Sequence, residues 1–231
     1  MKKLTFKIES IPATLWGEKS DDIYIYVHGK MSNKDEAHGF AEKASMKGYQ
    51  VLSFDLPEHG ERIDVNYPCN VWNGVYDLGI IKEYVKQGWR DLYLYGSSLG
   101  AYFILLAYSD LTIKKCLLVS PILDMERLIQ KIMKWVNVSE QELKDKRIIS
   151  TTMGETLCWD YYCYVRKNPI IRWNAPTAIL YGSEDNLTER EVIENFTKRF
   201  NCDLTVLEDG EHWFHTDKQL TFLDKWLDQH I

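Results

Sequence analysis

Residues Asp91–Ala107, DLYLYGSSLGAYFILLA, constrain this chain more than any other stretch. Asp91 to Tyr95 run into apolar and aromatic residues that suit a buried strand. Gly96-Ser97-Ser98-Leu99-Gly100 follows, then an apolar run with helical spacing and good helix formers. A strand that enters a helix through G-x-S-x-G sets Ser98 on a turn so tight that its backbone is strained, which lifts the hydroxyl clear of the sheet. The flanking glycines leave room where strand and helix crowd together. A helix beginning at Leu99 also aims its first N–H groups at the point where negative charge would gather beside that hydroxyl. The alternative is a glycine-rich turn holding an incidental serine. The correct flanks on both sides favour the first reading.

The rest of the chain alternates in the same way. Residues 4–9 and 12–16 read as an antiparallel strand pair around Ser10–Pro12. Ile23–Val27 is β-branched and aromatic, as a fully buried strand requires. Ser32 with Asp35 reads as a capping box, and Gly48 closes the helix that follows. Val51–Phe54 is a strand, and a polar loop runs to about Asn70. A helix then spans about Trp72 to Gln87, closed by Gly88. Lys115–Ser120 and Thr177–Tyr181 are further strands. Thr188 with Glu191 opens a helix to about Phe200, Leu204–Leu207 is the last strand, and Thr216–His230 is an amphipathic helix. The pattern predicts an α/β fold: a three-layer sandwich around a mostly parallel central sheet.

One segment breaks the alternation. Between Asp124 and Asn174 no strand of the core type is expected, yet the stretch is too long for a loop. Leu128–Val136 has helical spacing, Ser139 with Glu142 caps a second helix, and Glu155–Arg166 reads as a third. A helical insertion over the carboxyl edge of the sheet is predicted at about 124–174, within one domain spanning 1–231. Its aromatic residues include Trp135, Trp159, Tyr161, Tyr162, Tyr164 and Trp173. They can pack the insertion down or line an apolar pocket, and sequence does not divide the two.

Composition excludes several classes. Charged residues make up 27% with a formal net charge of −6 and no Lys/Arg-rich stripe, which argues against a nucleic-acid partner. No apolar run is long enough to span a bilayer. Lys7 and Glu9 interrupt the segment after Met1-Lys2-Lys3, so no export signal is read. Five cysteines without a C-x-x-C pair fit reduced thiols, and a cytoplasmic location is expected. The histidines show no metal-ligand spacing, and no phosphate-binding loop is present, so neither metal nor cofactor is expected.

A serine hydroxyl at its ordinary pKa needs an adjacent base, and the base needs an orienting acid. In an open α/β sheet such groups collect on loops beyond the carboxyl ends of the strands. Gly182-Ser183-Glu184-Asp185 follows the Thr177–Tyr181 strand, and Glu208-Asp209-Gly210-Glu211-His212 follows Leu204–Leu207. Ser98, Asp185 and His212 therefore stand in the chain order of enzymes built on this turn. His215 is the rival base; His212 is preferred for its distance from the strand, with Trp213-Phe214 behind it as apolar anchors. Asp124 is the rival acid and ranks behind Asp185. Asp209 and Asp160 read as surface or insertion residues, and His38 and His230 as solvated ones.

These residues together resemble an α/β-hydrolase-fold serine hydrolase of the single-domain esterase type with a helical lid, from about Ile23 to the end of the chain. The resemblance implies that the His28-Gly29 turn supplies an oxyanion-hole amide, from Lys30 first and Met31 second, with the other from Leu99. It implies bracing roles for His28 and His59. Asp55-Leu56-Pro57-Glu58-His59-Gly60 is similar to the family's D-x-P-G-H-G turn, with Glu58 in place of a glycine, which predicts a reshaped, more acidic loop. Met31, Trp135, Trp159 and Tyr162 are the pocket candidates. The expected activity is cleavage of a small or medium acyl ester. Thioesterase, amidase or aminopeptidase chemistry on the same residues is the first alternative, with Glu58 or Glu61 recruited to hold a substrate amine in a peptidase. A catalytically silent ligand-binding protein is the second. The insertion is also compatible with a homodimer surface.

Overall fold

The computed structural model describes residues 1–231. Its central sheet has eight strands: β1 (Lys3–Ile8), β2 (Ile11–Trp16), β3 (Asp22–Val27), β4 (Gln50–Phe54), β5 (Asp91–Ser97), β6 (Lys115–Val119), β9 (Thr177–Gly182) and β10 (Asp203–Leu207), with β7 (Ile148–Ser150) and β8 (Thr156–Cys158) forming a separate pair. The order across the sheet is β1-β2-β4-β3-β5-β6-β9-β10. The β1–β2 and β2–β4 pairs are antiparallel and all the others are parallel.

Helices α1 (His38–Met46) and α8 (Asp217–His230) cover one face; α2 (Val71–Val85), α3 (Ser98–Ala107) and α7 (Arg190–Phe200) cover the other. The strands alternate as a two-sided sheet demands. In β3, Ile23, Ile25 and Val27 enter the larger core while Tyr24 and Tyr26 enter the smaller. In β6 and β9 the split is Cys116 and Leu118 against Leu117 and Val119, and Ile179 and Tyr181 against Ala178 and Leu180. The smaller core is aromatic: the Tyr26 and Tyr95 rings stack with centroids 4.4 Å apart, and Phe40 of α1 lies 4.7 Å from Tyr95. No helix is long and apolar enough to cross a membrane.

Several boundaries differ from expectation. Ser32 does not cap α1: Asn33 caps a short 3₁₀ turn, Lys34–Ala37, that leads into it, and the Ser32 hydroxyl donates to Glu36 instead. Gly48 does take a left-handed φ of +89°, whereas Gly88 does not, because α2 ends earlier with Lys86 at its cap. Thr188 caps nothing, since Glu189 precedes α7 and the Thr188 hydroxyl donates to the Pro121 carbonyl at 3.0 Å. The segment between β6 and β9 holds α4 (Met125–Trp135), α5 (Glu140–Lys146), the β7–β8 hairpin and α6 (Trp159–Lys167). Strands of three residues are too short to register as a period, and the residues read as the start of the third helix belong to β8.

Beneath the loop after β4 lies a buried ionic tie. Arg62 donates to Asp77 of α2 at 2.5 Å and to the Asp55 carbonyl at 3.0 Å, and the Tyr67 hydroxyl reaches the other Asp77 oxygen at 3.1 Å. Removing one member of such a pair leaves an uncompensated buried charge, which costs about 3–5 kcal/mol. Asp77→Ala is therefore expected to lower unfolding stability by about that amount in urea titrations; a change below about 1 kcal/mol would contradict the assignment.

Candidate active site

Ser98 occupies the β5–α3 junction with φ +47°, a left-handed backbone that a residue bearing a Cβ adopts only when its surroundings enforce it. The enforcement comes from close packing. A Cβ on Gly100 would lie 2.4 Å from the carbonyl oxygens of Val27 and His28, so the first turn of α3 rests directly on the end of β3. A Cβ on Gly96 would lie 2.9 Å from the Ala101 Cα.

The His212 Nε2 lies 2.8 Å from the Ser98 Oγ, and its Nδ1 lies 2.7 Å from an Asp185 carboxylate oxygen. A carboxylate only accepts, so Nδ1 carries the proton and Nε2 is left as acceptor for the serine hydroxyl. The second Asp185 oxygen takes the Leu187 and Thr188 amides at 2.8 and 2.9 Å, and its side chain is fully buried. The loops bearing the acid and the imidazole are joined along their length. The Ser183 amide donates to the Leu207 carbonyl at 3.0 Å, the Glu184 amide to Gly210 at 2.8 Å, and the Asp209 amide to the Ser183 hydroxyl at 2.9 Å.

The loop after β3 abuts the serine from the other side. β3 and β5 are paired, with Val27 opposite Gly96, and a Cβ on Gly29 would lie 3.3 Å from that of Ser98. The Leu99 amide lies in the first turn of α3, where an N–H has no intrahelical acceptor. The Lys30 amide has no backbone or side-chain acceptor, whereas the Met31 amide donates to His59 Nε2 at 3.0 Å. Asp55, buried beneath this loop, receives the Lys34 amide and ammonium at 2.8 and 3.0 Å and the Glu61 amide at 3.0 Å. Glu58 takes a left-handed backbone with φ +59°, and its carboxylate accepts from the Cys69 amide at 2.6 Å.

Other candidates are engaged elsewhere. His215 faces outward, paired with Glu211 at 3.2 Å and bound to the Trp213 carbonyl at 2.9 Å. Asp124 caps α4 through the Arg127 amide. Of the two expected anchors behind His212, Phe214 is buried but Trp213 is 74% exposed, so only Phe214 anchors. His230 stacks on Trp226 and binds its carbonyl, so it is less solvated than expected. Burial pushes the Cys69 thiol up to about 12 and Cys202 up to about 11, away from the thiolate form.

Among the expected pocket residues, Met31 is 92% exposed and Trp135 lies under Lys131. Trp159 sits 5.9 Å from the Tyr162 ring, and Tyr162 is buried with its hydroxyl accepting from Gln130 at 3.0 Å. A cavity of about 280 Å³ between α3, α4, α6 and α7 is lined by Tyr102, Val165, Phe196 and Arg199 among others, none of them from the serine–histidine pair. One contact had no sequence signal: the Lys30 ammonium pairs with Glu155 at the tip of the β7–β8 hairpin. No group of three or more His, Cys, Asp or Glu side chains is arranged to hold a metal ion.

His28 is wholly buried. Its Nε2 accepts from the Leu56 amide at 3.1 Å, so its Nδ1 carries the proton and donates to the Gly29 carbonyl at 2.7 Å. Burial lowers its pKa from an ordinary 6.5 to about 4. The neutral ring therefore contributes fully above pH 6.5, and stability drains as pH falls from about 6.5 to about 4, where only the unfolded chain takes up the proton. Urea titrations across that window should show the native protein losing about 3 kcal/mol more than His28→Asn. Parallel slopes for the two proteins would clear His28 of any part in the pH dependence.

No protein-family model matches this sequence, and a search of curated proteins gave no match. Solved structures do resemble it. Est1E from Butyrivibrio proteoclasticus, with ferulic acid bound, superposes at TM-score 0.76 with 17% identity over 98% of this chain and 96% of its own. Mouse alpha/beta hydrolase domain-containing protein 10 gives 0.75 and 16% over 99% and 98%. Paleococcus ferrophilus monoacylglycerol lipase gives 0.67 and 18% over 96% and 100%. With its mostly parallel eight-stranded sheet between two helical layers, this chain has the α/β-hydrolase fold.

Proposed function

We propose that this protein is a serine hydrolase that cleaves a small or medium acyl ester through Ser98, His212 and Asp185. The observation that carries the reading is the unbroken hydrogen-bonded series from a strained serine, through an imidazole, to a buried carboxylate at one edge of the sheet. Ser98 Oγ attacks the ester carbonyl carbon as His212 Nε2 takes its proton. Collapse of the tetrahedral species breaks the carbon–oxygen bond, and the imidazolium returns that proton to the leaving alcohol. Water then attacks the acyl-enzyme by the same route and releases the acid. Asp185 holds the tautomer and stabilises the imidazolium between the two transfers. The Leu99 and Lys30 amides receive the oxyanion, each worth about 3–4 kcal/mol in such a site.

The segment from about 124 to 174 acts in this reading as a lid; its Trp135, Trp159 and Tyr162, with Met31 of the loop after β3, are the candidate apolar contacts with the acyl group. Est1E, the neighbour that holds ferulic acid, adds aromatic acyl esters to the substrates worth testing. An aminopeptidase reading is weaker, because the carboxylates it would recruit are occupied: Glu58 by the Cys69 amide and Glu61 by the Lys34 ammonium.

Ser98→Ala is expected to lower kcat/KM on p-nitrophenyl butyrate by at least about a thousandfold while melting within a few degrees of the native protein. A fluorophosphonate probe should label the native protein and not the variant. Persistent turnover in the variant would sink the hydrolase, and an unlabelled native protein would favour a silent ligand-binding site.

A further inference from the structure

Resting on the hydrolysis proposed above, we infer that Tyr102 and Tyr161 select its substrate: their hydroxyls hold a neutral carbonyl oxygen carried on the acyl chain. In the free protein both phenolic oxygens are buried and neither has a hydrogen-bond partner. A buried hydroxyl left unpaired is costly and uncommon, and an occupant that pairs with it recovers that cost.

The place of Tyr102 in the fold points to the acyl chain. It follows Ser98 by one turn of α3, a rise of about 6 Å, and a long helical side chain leans back toward the helix N-terminus. The Ser98 carbonyl accepts from the Ile122 amide at 3.3 Å. Leu123, next in the chain, shares with Tyr102 the wall of the cavity of about 280 Å³. A chain that leaves the ester carbonyl at Ser98 and follows α3 passes Tyr102 and enters that cavity. Its lining includes Leu123, Met125, Val165 and Phe196, all buried and apolar.

Tyr161 comes from the opposite side. It precedes Val165 by one turn of α6, so the face of α6 that meets the cavity carries both. Its ring packs on Trp72 of α2, with centroids 6.0 Å apart. Burial raises the pKa of both phenols, and the neighbouring Tyr102 raises that of Tyr161 further. The two hydroxyls therefore lie near each other without bonding, and both stay protonated as donors. A carbonyl oxygen, with two lone pairs, can accept from both at once. The occupant is neutral, because a carboxylate buried here would need a cation. Both arginines on the cavity are engaged: the Arg199 guanidinium donates to the Ile171 carbonyl at 3.3 Å, and Arg127 pairs with Glu191 at 3.6 Å. Asp124, which lines the same cavity, adds negative charge beside Tyr102.

p-Nitrophenyl octanoate and its 5-, 6- and 7-oxo analogues differ only in whether and where the chain carries a ketone. The best of the three ketoesters should exceed the plain ester in kcat/KM by about tenfold, as two neutral hydrogen bonds supply. In Tyr102→Phe or Tyr161→Phe that ratio should fall about threefold, and in the double variant to within about twofold of one. Neither hydroxyl is bonded in the free protein, so each single variant should melt no lower than the native protein. A native protein without ketoester preference, a preference that survives in the double variant, or single variants that melt well below the native protein would each overturn the assignment. Should the double variant fail to fold, the two single variants carry the test, and an unchanged ratio in both removes the site. Turnover separates the two levels. If all four esters are hydrolysed at equal rates, only the oxygen site fails; if none is, and Ser98→Ala behaves as the native protein does, the hydrolase fails and the site with it.

Discussion

The first turn of α3 lies directly on the carbonyls that end β3, and the site depends on that contact. It is possible because Gly100 has no side chain: a methyl group there would lie 2.4 Å from two carbonyl oxygens. Backbone packed directly on backbone fixes the angle at which α3 leaves β5, and with it the left-handed turn at Ser98. The same contact sets the loop after β3 beside that turn, where a Cβ on Gly29 would lie 3.3 Å from that of Ser98. Because β3 and β5 are neighbours in the sheet although far apart in sequence, the pairing itself does this work.

The loops around the serine are held by more than the apolar burial of Leu56 and Phe214. Buried polar groups that find each other also hold them. Asp55 receives three hydrogen bonds from Lys34 and Glu61, while Arg62 reaches Asp77, and the two histidines join the loop after β3 to the loop after β4. Each group would be costly to bury alone, and together they leave few alternatives to the observed arrangement. Rigidity is gained where a flexible loop would otherwise lie.

Much of this was legible in the sequence where a period or a turn chemistry speaks. The β-branched and aromatic run Ile23–Val27 and the glycines around Ser98 give strand, turn and helix directly, and loop position after consecutive strands selects Asp185 and His212 as candidates. What was missed is of a different kind. Ser32 and Thr188 carry capping residues at the right spacing, yet each spends its hydroxyl on a partner that only the folded chain supplies. The β7–β8 strands are too short to show a period. The pairing of Lys30 with Glu155 joins two exposed side chains across a long stretch of sequence, and nothing local announces it.

The stitching of the β9 and β10 loops has one more consequence. Ser183, Glu184, Asp209 and Gly210 bind one another so closely that the carboxylate and the imidazole belong to a single cassette, roughly Thr177 to Phe214. The hydrogen bonds between the two loops set the acid and the base relative to each other. The seam between that cassette and the serine is then where the approach of imidazole to hydroxyl is set. Anyone transplanting the histidine loop into another scaffold has to bring its neighbour along.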